Sequence, residues 1–295
     1  MKRLAPPERK RLPEWLRKPQ RHAEADHQMK RLLRSYGLHT VCEEARCPNR
    51  DECFSRGTAT FMILGDVCTR SCGFCAVKTG RGVPIELLDT EPERVAEAAA
   101  RLQLRYVVIT SVNRDELKDG GASHFAKTIR AIRNKLPGAK IEVLTPDFKG
   151  DLQALRIVLD ARPDTFNHNV ETVARLYPKV RPQAKYERSL ELLRQARLYA
   201  PDVLTKSGFM VGLGESQSEV FKLLEDLREH LVEIVTIGQY LQPSRAHLPV
   251  AEYVDPETFE RYREYGERLG FRAVFSGPLV RSSYMAELVN LQSFR

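Results

Sequence analysis

The sequence predicts an α/β protein organised around a mostly parallel sheet. Three observations carry that expectation: short apolar runs alternate with amphipathic stretches of helical period, the alternation repeats six or seven times after about Gly57, and several helical stretches open on recognisable capping residues. The candidate strands are Thr60–Leu64, Tyr106–Thr110, Ile141–Leu144, Thr165–Asn167, Gly208–Val211, Ile234–Gln239 and Arg272–Phe275. Several are rich in Val, Ile, Phe or Tyr and bounded by polar residues, Gly or Pro, as buried parallel strands are. Between them, Thr90 and Glu93 are spaced as a capping box ahead of Val95, Ala98, Ala99 and Leu102, which share one helical face. Ser216 and Glu219 repeat that box before Val220, Leu223, Leu224, Leu227 and Leu231. Gly120-Gly121 leads into a helix carrying Phe125, Ile129, Ile132 and Leu136, and Asp255-Pro256 reads as an N-cap and first helical residue, with Gly270 as the stop. Each amphipathic face has to cover something apolar, and a parallel sheet is the natural candidate. Periodicity alone leaves open whether that sheet closes into a barrel.

Composition narrows the class. Of 295 residues 42% are hydrophobic, with no apolar run of membrane-spanning length. The N-terminus lacks the apolar stretch of a secretory signal. A cytoplasmic protein with no membrane partner is expected. The net charge of +8 lies almost wholly in the first 34 residues, which hold eleven Lys and Arg against four Asp and Glu. A basic arm can bind nucleic acid, but the rest of the chain shows no matching basic stripe, so no nucleic-acid partner is expected. The arm reads either as a solvated segment or as a docking element for an acidic protein substrate, with Trp15 anchoring it on the globular body.

All six cysteines fall in one short window as two triplets, Cys42/Cys47/Cys53 and Cys68/Cys72/Cys75. Structural zinc takes closed four-ligand sites built on C-x₂₋₄-C pairs, whereas here no fourth Cys or His closely follows the second triplet. Iron–sulfur electron carriers use four cysteines per cluster at other spacings. Disulfides need an oxidising compartment, and a chain of this length does not need staples to fold. Iron–sulfur chemistry therefore ranks ahead of zinc, and zinc ahead of disulfides. Three thiolates leave one iron of a four-iron cluster without a cysteine, and an open iron is a place where chemistry can occur.

The spacing C-x3-C-x2-C of Cys68–Cys75, with Phe74 just before the third cysteine, resembles that of the radical S-adenosylmethionine (SAM) enzymes. Val41-CEEARCPNRDECF-Phe54, PEWLRK at Pro13–Lys18, FNHNVE at Phe166–Glu171 and RSSYMA at Arg281–Ala286 together closely resemble the lipoyl synthase family. The resemblance implies a partial (β/α)6 TIM-like barrel with an N-terminal cluster-binding extension. Residues 1–57 would form that extension, 58–270 the barrel, and 271–295 a C-terminal segment returning Ser283 to the auxiliary cluster. It also implies two [4Fe–4S] clusters and SAM. The cluster on Cys68, Cys72 and Cys75 would support SAM cleavage to a radical. The auxiliary cluster on Cys42, Cys47, Cys53 and Ser283 would be consumed as sulfur donor for carbons 6 and 8 of a protein-bound octanoyl-lysine. A serine ligand suits a labile corner, since an alkoxide is harder than a thiolate and its proton harder to remove. The implied partners are octanoylated lipoyl carrier domains (2-oxoacid dehydrogenase E2 or glycine cleavage H protein) and a flavodoxin- or ferredoxin-like reductant. Rival readings are a different radical SAM enzyme with an auxiliary cluster, which need not depend on Ser283, and a non-enzymatic iron–sulfur electron-transfer protein.

Contacts to SAM and substrate are expected from polar residues at the C-terminal ends of strands, where active sites on such scaffolds collect: Thr110, Ser111 and Asn113, then Asn169 and Glu171, then Gln239 and Tyr240. Arg181 and Lys206 are candidates for a carboxylate or ribose. Gly73 is expected to let the backbone approach a cluster, and the Gly212-Leu213-Gly214-Glu215 turn to let it approach adenine. For each polar residue, capping or surface solvation is the competing role. His168 reads as a hydrogen-bonding element, and Tyr262 and Tyr265 as a helix packing face.

Overall fold

The computed structural model describes residues 11–17, 23–44, 47–55 and 60–283. Ten strands occur among them: β1 (His39–Thr40), β2 (Thr60–Ile63), β3 (Val67–Cys68), β4 (Lys78–Thr79), β5 (Tyr106–Ser111), β6 (Lys140–Leu144), β7 (Thr165–Asn167), β8 (Leu204–Val211), β9 (Ile234–Gln239) and β10 (Ala273–Gly277). Eight of these form one sheet in the order β1-β2-β5-β6-β7-β8-β9-β10, every pair parallel except β1 with β2. β1 and β10 stand at opposite edges, so the barrel is open. The six strands of the expected partial barrel are β2 and β5–β9; β10 extends them as a seventh parallel strand.

Every candidate strand is present, and the largest displacement is in β8, which begins at Leu204 and not Gly208. Its first half, Leu-Thr-Lys-Ser, hides its strand character because the barrel interior here holds a polar network. Lys206 Nζ lies 3.0 Å from both carboxylate oxygens of Glu142 on β6, and both side chains are fully buried. Tyr106 Oη (2.8 Å) and Asn167 Nδ2 (2.9 Å) donate to the same carboxylate.

The capping box at Ser216/Glu219 forms with both reciprocal bonds and opens the helix Gln217–Glu229. Asp255 caps the helix Pro256–Arg268 through Thr258 N, and Gly270 follows it with φ of 82°, the left-handed geometry of a helix stop. Thr90 departs from expectation: it precedes the helix Glu91–Arg101 but makes no side-chain cap bond. Glu91 is instead drawn inward, accepting from Leu64 N (2.8 Å) and pairing with His124 Nε2 (2.7 Å). Tyr262 and Tyr265 pack as expected against Phe221, at centroid distances of 5.9 and 4.2 Å. Trp15 does not anchor the arm: it is 43% exposed, while its neighbour Leu16 is buried. Residues 1–10 and 18–22 of the basic arm, Lys18 of PEWLRK, and Tyr284–Ala286 of RSSYMA lie outside the described residues.

Candidate active site: one cavity shared by both cysteine triplets

The second triplet occupies the loop that leaves β2. β3 and β4 pair parallel across the loop's base, in register Val67↔Lys78 and Cys68↔Thr79, and Gly80 N donates to Cys68 O at 2.9 Å. Three further groups hold this loop down. Arg114 donates to Leu64 O (3.0 Å) and Val83 O (2.5 Å) on either side of it. Arg70, between Cys68 and Cys72, forks onto Asp115 (2.7 and 2.8 Å) and reaches Asp147 (2.6 Å), joining the loop to the ends of β5 and β6. From the far side, His247 Nε2 meets Cys75 O at 2.9 Å and Leu248 N donates to Gly73 O at 2.9 Å. Cys68 Sγ accepts from Arg70 N (3.4 Å) and Asn113 N (3.3 Å), which fixes the side chain's direction. Burial raises the thiol pKa of Cys72 and pushes Cys75 up to about 12, so in the apo protein both are thiols and cluster loading displaces their protons.

The first triplet is arranged by turns, with Cys47 N donating to Cys42 O (3.2 Å) and Cys53 N to Asn49 O (2.9 Å). Burial, and then the nearby Cys47, push Cys42 up to about 12. After β10 the chain turns at Gly277, with Val280 N on Gly277 O (3.1 Å), and crosses Gly238 of β9 so tightly that a Cβ there would collide with the Val280 carbonyl. This brings Arg281 within electrostatic reach of Cys47 and puts Ser282 and Ser283 on the wall of the cavity that the first triplet also lines.

All six cysteines and Ser283 line a single cavity of about 550 Å³ at the C-terminal ends of β2 and β5–β9. Phe74, Thr110, Ser111, Asn113, Asn169, Glu171, Arg181, Gln239 and Tyr240 line it too. Four of these present a buried polar atom without a partner: Ser111 Oγ, Asn113 Oδ1, Asn169 Oδ1 and Arg181 Nε. Arg70 Nη1 and Thr145 Oγ1, on residues of the same wall, are also unpartnered. Such groups are costly to bury unmatched, and their concentration on one wall fits a polar ligand such as SAM. Glu171 sits in the left-handed region (φ 66°), held by Gly208 O and Met210 N, and burial raises its carboxyl pKa. Among the described residues, no three His, Cys, Asp or Glu side chains gather around a single ion-sized point.

Several expectations are corrected. Lys206 does not line the cavity; it is spent on Glu142 within the barrel, where no carboxylate or ribose can reach it. Gln239 reaches the cavity, but its amide nitrogen donates to Val211, Tyr240 and Glu252 carbonyls and its oxygen accepts from Val254 N, so its polar end secures the following loop. Tyr240 likewise donates its hydroxyl to Leu248 O (2.7 Å). Thr110 lines the wall while donating to Leu144 O (2.9 Å). At Gly73 a Cβ would lie 2.9 Å from Leu248, so the glycine lets the cysteine loop pack closely on that residue. At Gly212 (φ 94°) a Cβ would meet Gln239 and the Glu252 carbonyl, so this glycine lets the turn pack on the loop after β9. Sequence reasoning missed Arg70, Asn49 and His247. The first two lie inside the triplets, and that placement was the available signal; nothing in the sequence marked His247.

His168 is the hydrogen-bonding element expected. A carbonyl can only accept, so Nδ1 carries the proton towards Thr145 O (2.8 Å) and bare Nε2 accepts from Ser189 Oγ (3.0 Å). Burial and the nearby Arg181 and Arg70 hold its pKa down to about 4, against the opposing pull of Asp147 and the Thr145 bond. As pH falls below 6.5 the unfolded chain takes up a proton that the folded one refuses until about 4, so folding stability declines across that window. The full effect is about 3 kcal/mol. Urea midpoints measured between neutral and acidic pH should fall less steeply for His168→Gln than for the wild type; parallel slopes would contradict the assignment.

The fold and its cavity define a radical SAM protein. Residues 62–227 match the radical SAM superfamily. The fold resembles methylornithine synthase (TM-score 0.54, 14% identity, 84% of this chain and 74% of that one) and coproporphyrinogen III oxidase of Escherichia coli (0.53, 14%, 71% and 52%). Residues 1–47 match the N-terminal domain of lipoyl synthase. Lipoyl synthase of Rubrobacter xylanophilus is 63% identical over 274 residues, 93% of this chain and 85% of that protein. That of Thermus thermophilus is 56% identical over 283 residues, 95% and 87% of the two chains. The chain belongs to the lipoyl synthase family.

Proposed function

We propose that the chain inserts two sulfur atoms, at carbons 6 and 8, into an octanoyl group amide-linked to a lysine of a lipoyl carrier domain. The observation that carries this reading is the single cavity shared by two cysteine triplets and Ser283. Cys68, Cys72 and Cys75 would hold the cluster to which SAM binds, and the unpartnered atoms of Ser111, Asn113, Asn169 and Arg181 would orient SAM beside it. When bound, that cluster and SAM supply a 5′-deoxyadenosyl radical able to take hydrogen from unactivated carbon. The cluster held by Cys42, Cys47, Cys53 and Ser283 is the sulfur source, a substrate of the reaction. Apolar wall residues such as Met62, Val112, Leu144 and Met210 exclude water and suit an alkyl chain.

In this reading residues 1–57 carry the auxiliary cysteines, 58–270 form the barrel, and 271–295 return Ser283 to the auxiliary cluster. The carrier is the lipoyl domain of a 2-oxoacid dehydrogenase E2 or a glycine cleavage H protein, and the electron comes from a flavodoxin- or ferredoxin-like reductant in the cytoplasm. No described helix is long and apolar enough to cross a membrane.

The test is anaerobic reconstitution with iron and sulfide, followed by SAM, reductant and an octanoyl-lysine peptide, with products read by mass spectrometry. Deoxyadenosine together with a sulfur-bearing peptide is expected, and Ser283→Ala should keep the first and lose the second. Deoxyadenosine without sulfur gain in the wild type would point to another radical SAM substrate. Neither product, from protein carrying both clusters, would point to electron transfer.

A further inference from the structure

Between Cys47 and Cys53 lies a side chain that none of the roles above uses. Asn49 is fully buried, and its Nδ2 donates to the backbone carbonyl of Leu279 at 2.7 Å, across 230 positions of sequence. Its own carbonyl accepts from Cys53 N, so the residue that grips the C-terminal strap also belongs to the turn carrying the first triplet. On the strap's other side, Gly238 lets the Val280 carbonyl press directly on β9. The strap is thus gripped from one side by an amide and seated on the other by a missing side chain. Four residues beyond the gripped carbonyl is Ser283.

We propose that Asn49 is a positioning residue: a clasp that fixes the 278–283 strap so that Ser283 stands at the open corner of the first-triplet cluster. The role rests on the ligand reading of Ser283 given above. A hydroxyl is a weak iron ligand beside a thiolate, so its occupancy depends on being held in place, and a buried charge-free amide supplies that hold without competing for iron. An ionised carboxylate in the same position has no hydrogen to give a carbonyl. Asn49→Asp, measured at alkaline pH, therefore keeps the shape and removes the grip.

The decisive measurement is amide hydrogen exchange on cluster-free protein. In Asn49→Asp, exchange over 278–283 is expected to rise about tenfold or more while β5–β9 stay unchanged, since the lost bond governs local opening only. In reconstituted protein the ratio of sulfur-bearing product to deoxyadenosine should fall about tenfold, as a lost hydrogen bond at an ordered site does. Asn49→Gln, which retains a donor, should recover part of that ratio. Unchanged exchange in the strap overturns the clasp, as does loosened exchange with an unchanged product ratio. Should Asn49→Asp not fold, Asn49→Ser, too short to reach Leu279, faces the same two criteria. Full product from Ser283→Ala would fault the ligand reading alone, because the exchange result, obtained without clusters, decides the clasp independently.

Discussion

Cys72→Ala is expected to cut deoxyadenosine release at least about a thousandfold, equivalent to roughly 4 kcal/mol of barrier. Cys72 lies mid-loop between two cysteines that line the same cavity, and no other thiol of that loop can replace it. Cys72→Ser should restore little, because a hard oxygen ligand binds iron less well and loses its proton less readily. The opposite pattern is expected from Cys47→Ala: deoxyadenosine still forms, and the sulfur-bearing product disappears. Iron content should fall by about half in either variant, as one of two cluster sites is lost. Chromatographic quantification of deoxyadenosine beside the peptide product separates the two triplets. Equal loss of both products in both variants would show that the triplets do not have separate tasks.

The largest effect on stability is expected at the barrel's interior ion pair. Lys206→Met leaves the Glu142 carboxylate buried with only Tyr106 and Asn167 as partners. Breaking one side of such a pair costs about 3–5 kcal/mol, a large share of the roughly 5–15 kcal/mol that holds a domain folded. The double variant Lys206→Met, Glu142→Leu should recover much of the loss, because the uncompensated charge goes with it. Urea midpoints of the two single variants and the double variant give the coupling directly. A Lys206→Met protein as stable as the wild type would mean that the pair is not closed in solution. SAM cleavage by folded Lys206→Met should stay near normal, since the lysine does not line the cavity.

The strands were legible because burial on both faces makes a parallel strand an apolar run, and β5, β6, β7 and β9 begin and end within a residue or so of where that pattern places them. The first half of β8 is hidden in the sequence because Lys206 and its neighbours are polar for a reason that lies on β6. The cysteines were legible because their spacing is local. Ser283 entered only through family resemblance, as a serine in a polar loop carries no local signal. Lys206 lies off the cavity, and the polar ends of Gln239 and Tyr240, which line it, are engaged for one shared reason: each reaches a partner that sequence distance hides. Gln239 binds backbone, Tyr240 binds a loop carbonyl, and Lys206 finds an acid two strands away. Asn49 and His247 act on carbonyls 230 and 172 positions away, which no periodicity encodes.

The bond between Asn49 and Leu279 has a bearing on how the protein is made. Translation runs from one end, so Asn49 in the first triplet leaves the ribosome 230 positions before the Leu279 it grips. Until β9 (Ile234–Gln239) and then 278–283 emerge, the pocket of Cys42, Cys47 and Cys53 is incomplete. Contacts of such sequence separation are among the slowest to form in folding. A nascent chain can therefore fasten the loop of Cys68–Cys75 through Arg114, Asp115 and Asp147 well before 278–283 reaches the first triplet. The order in which the two sites mature is written into the order of the gene.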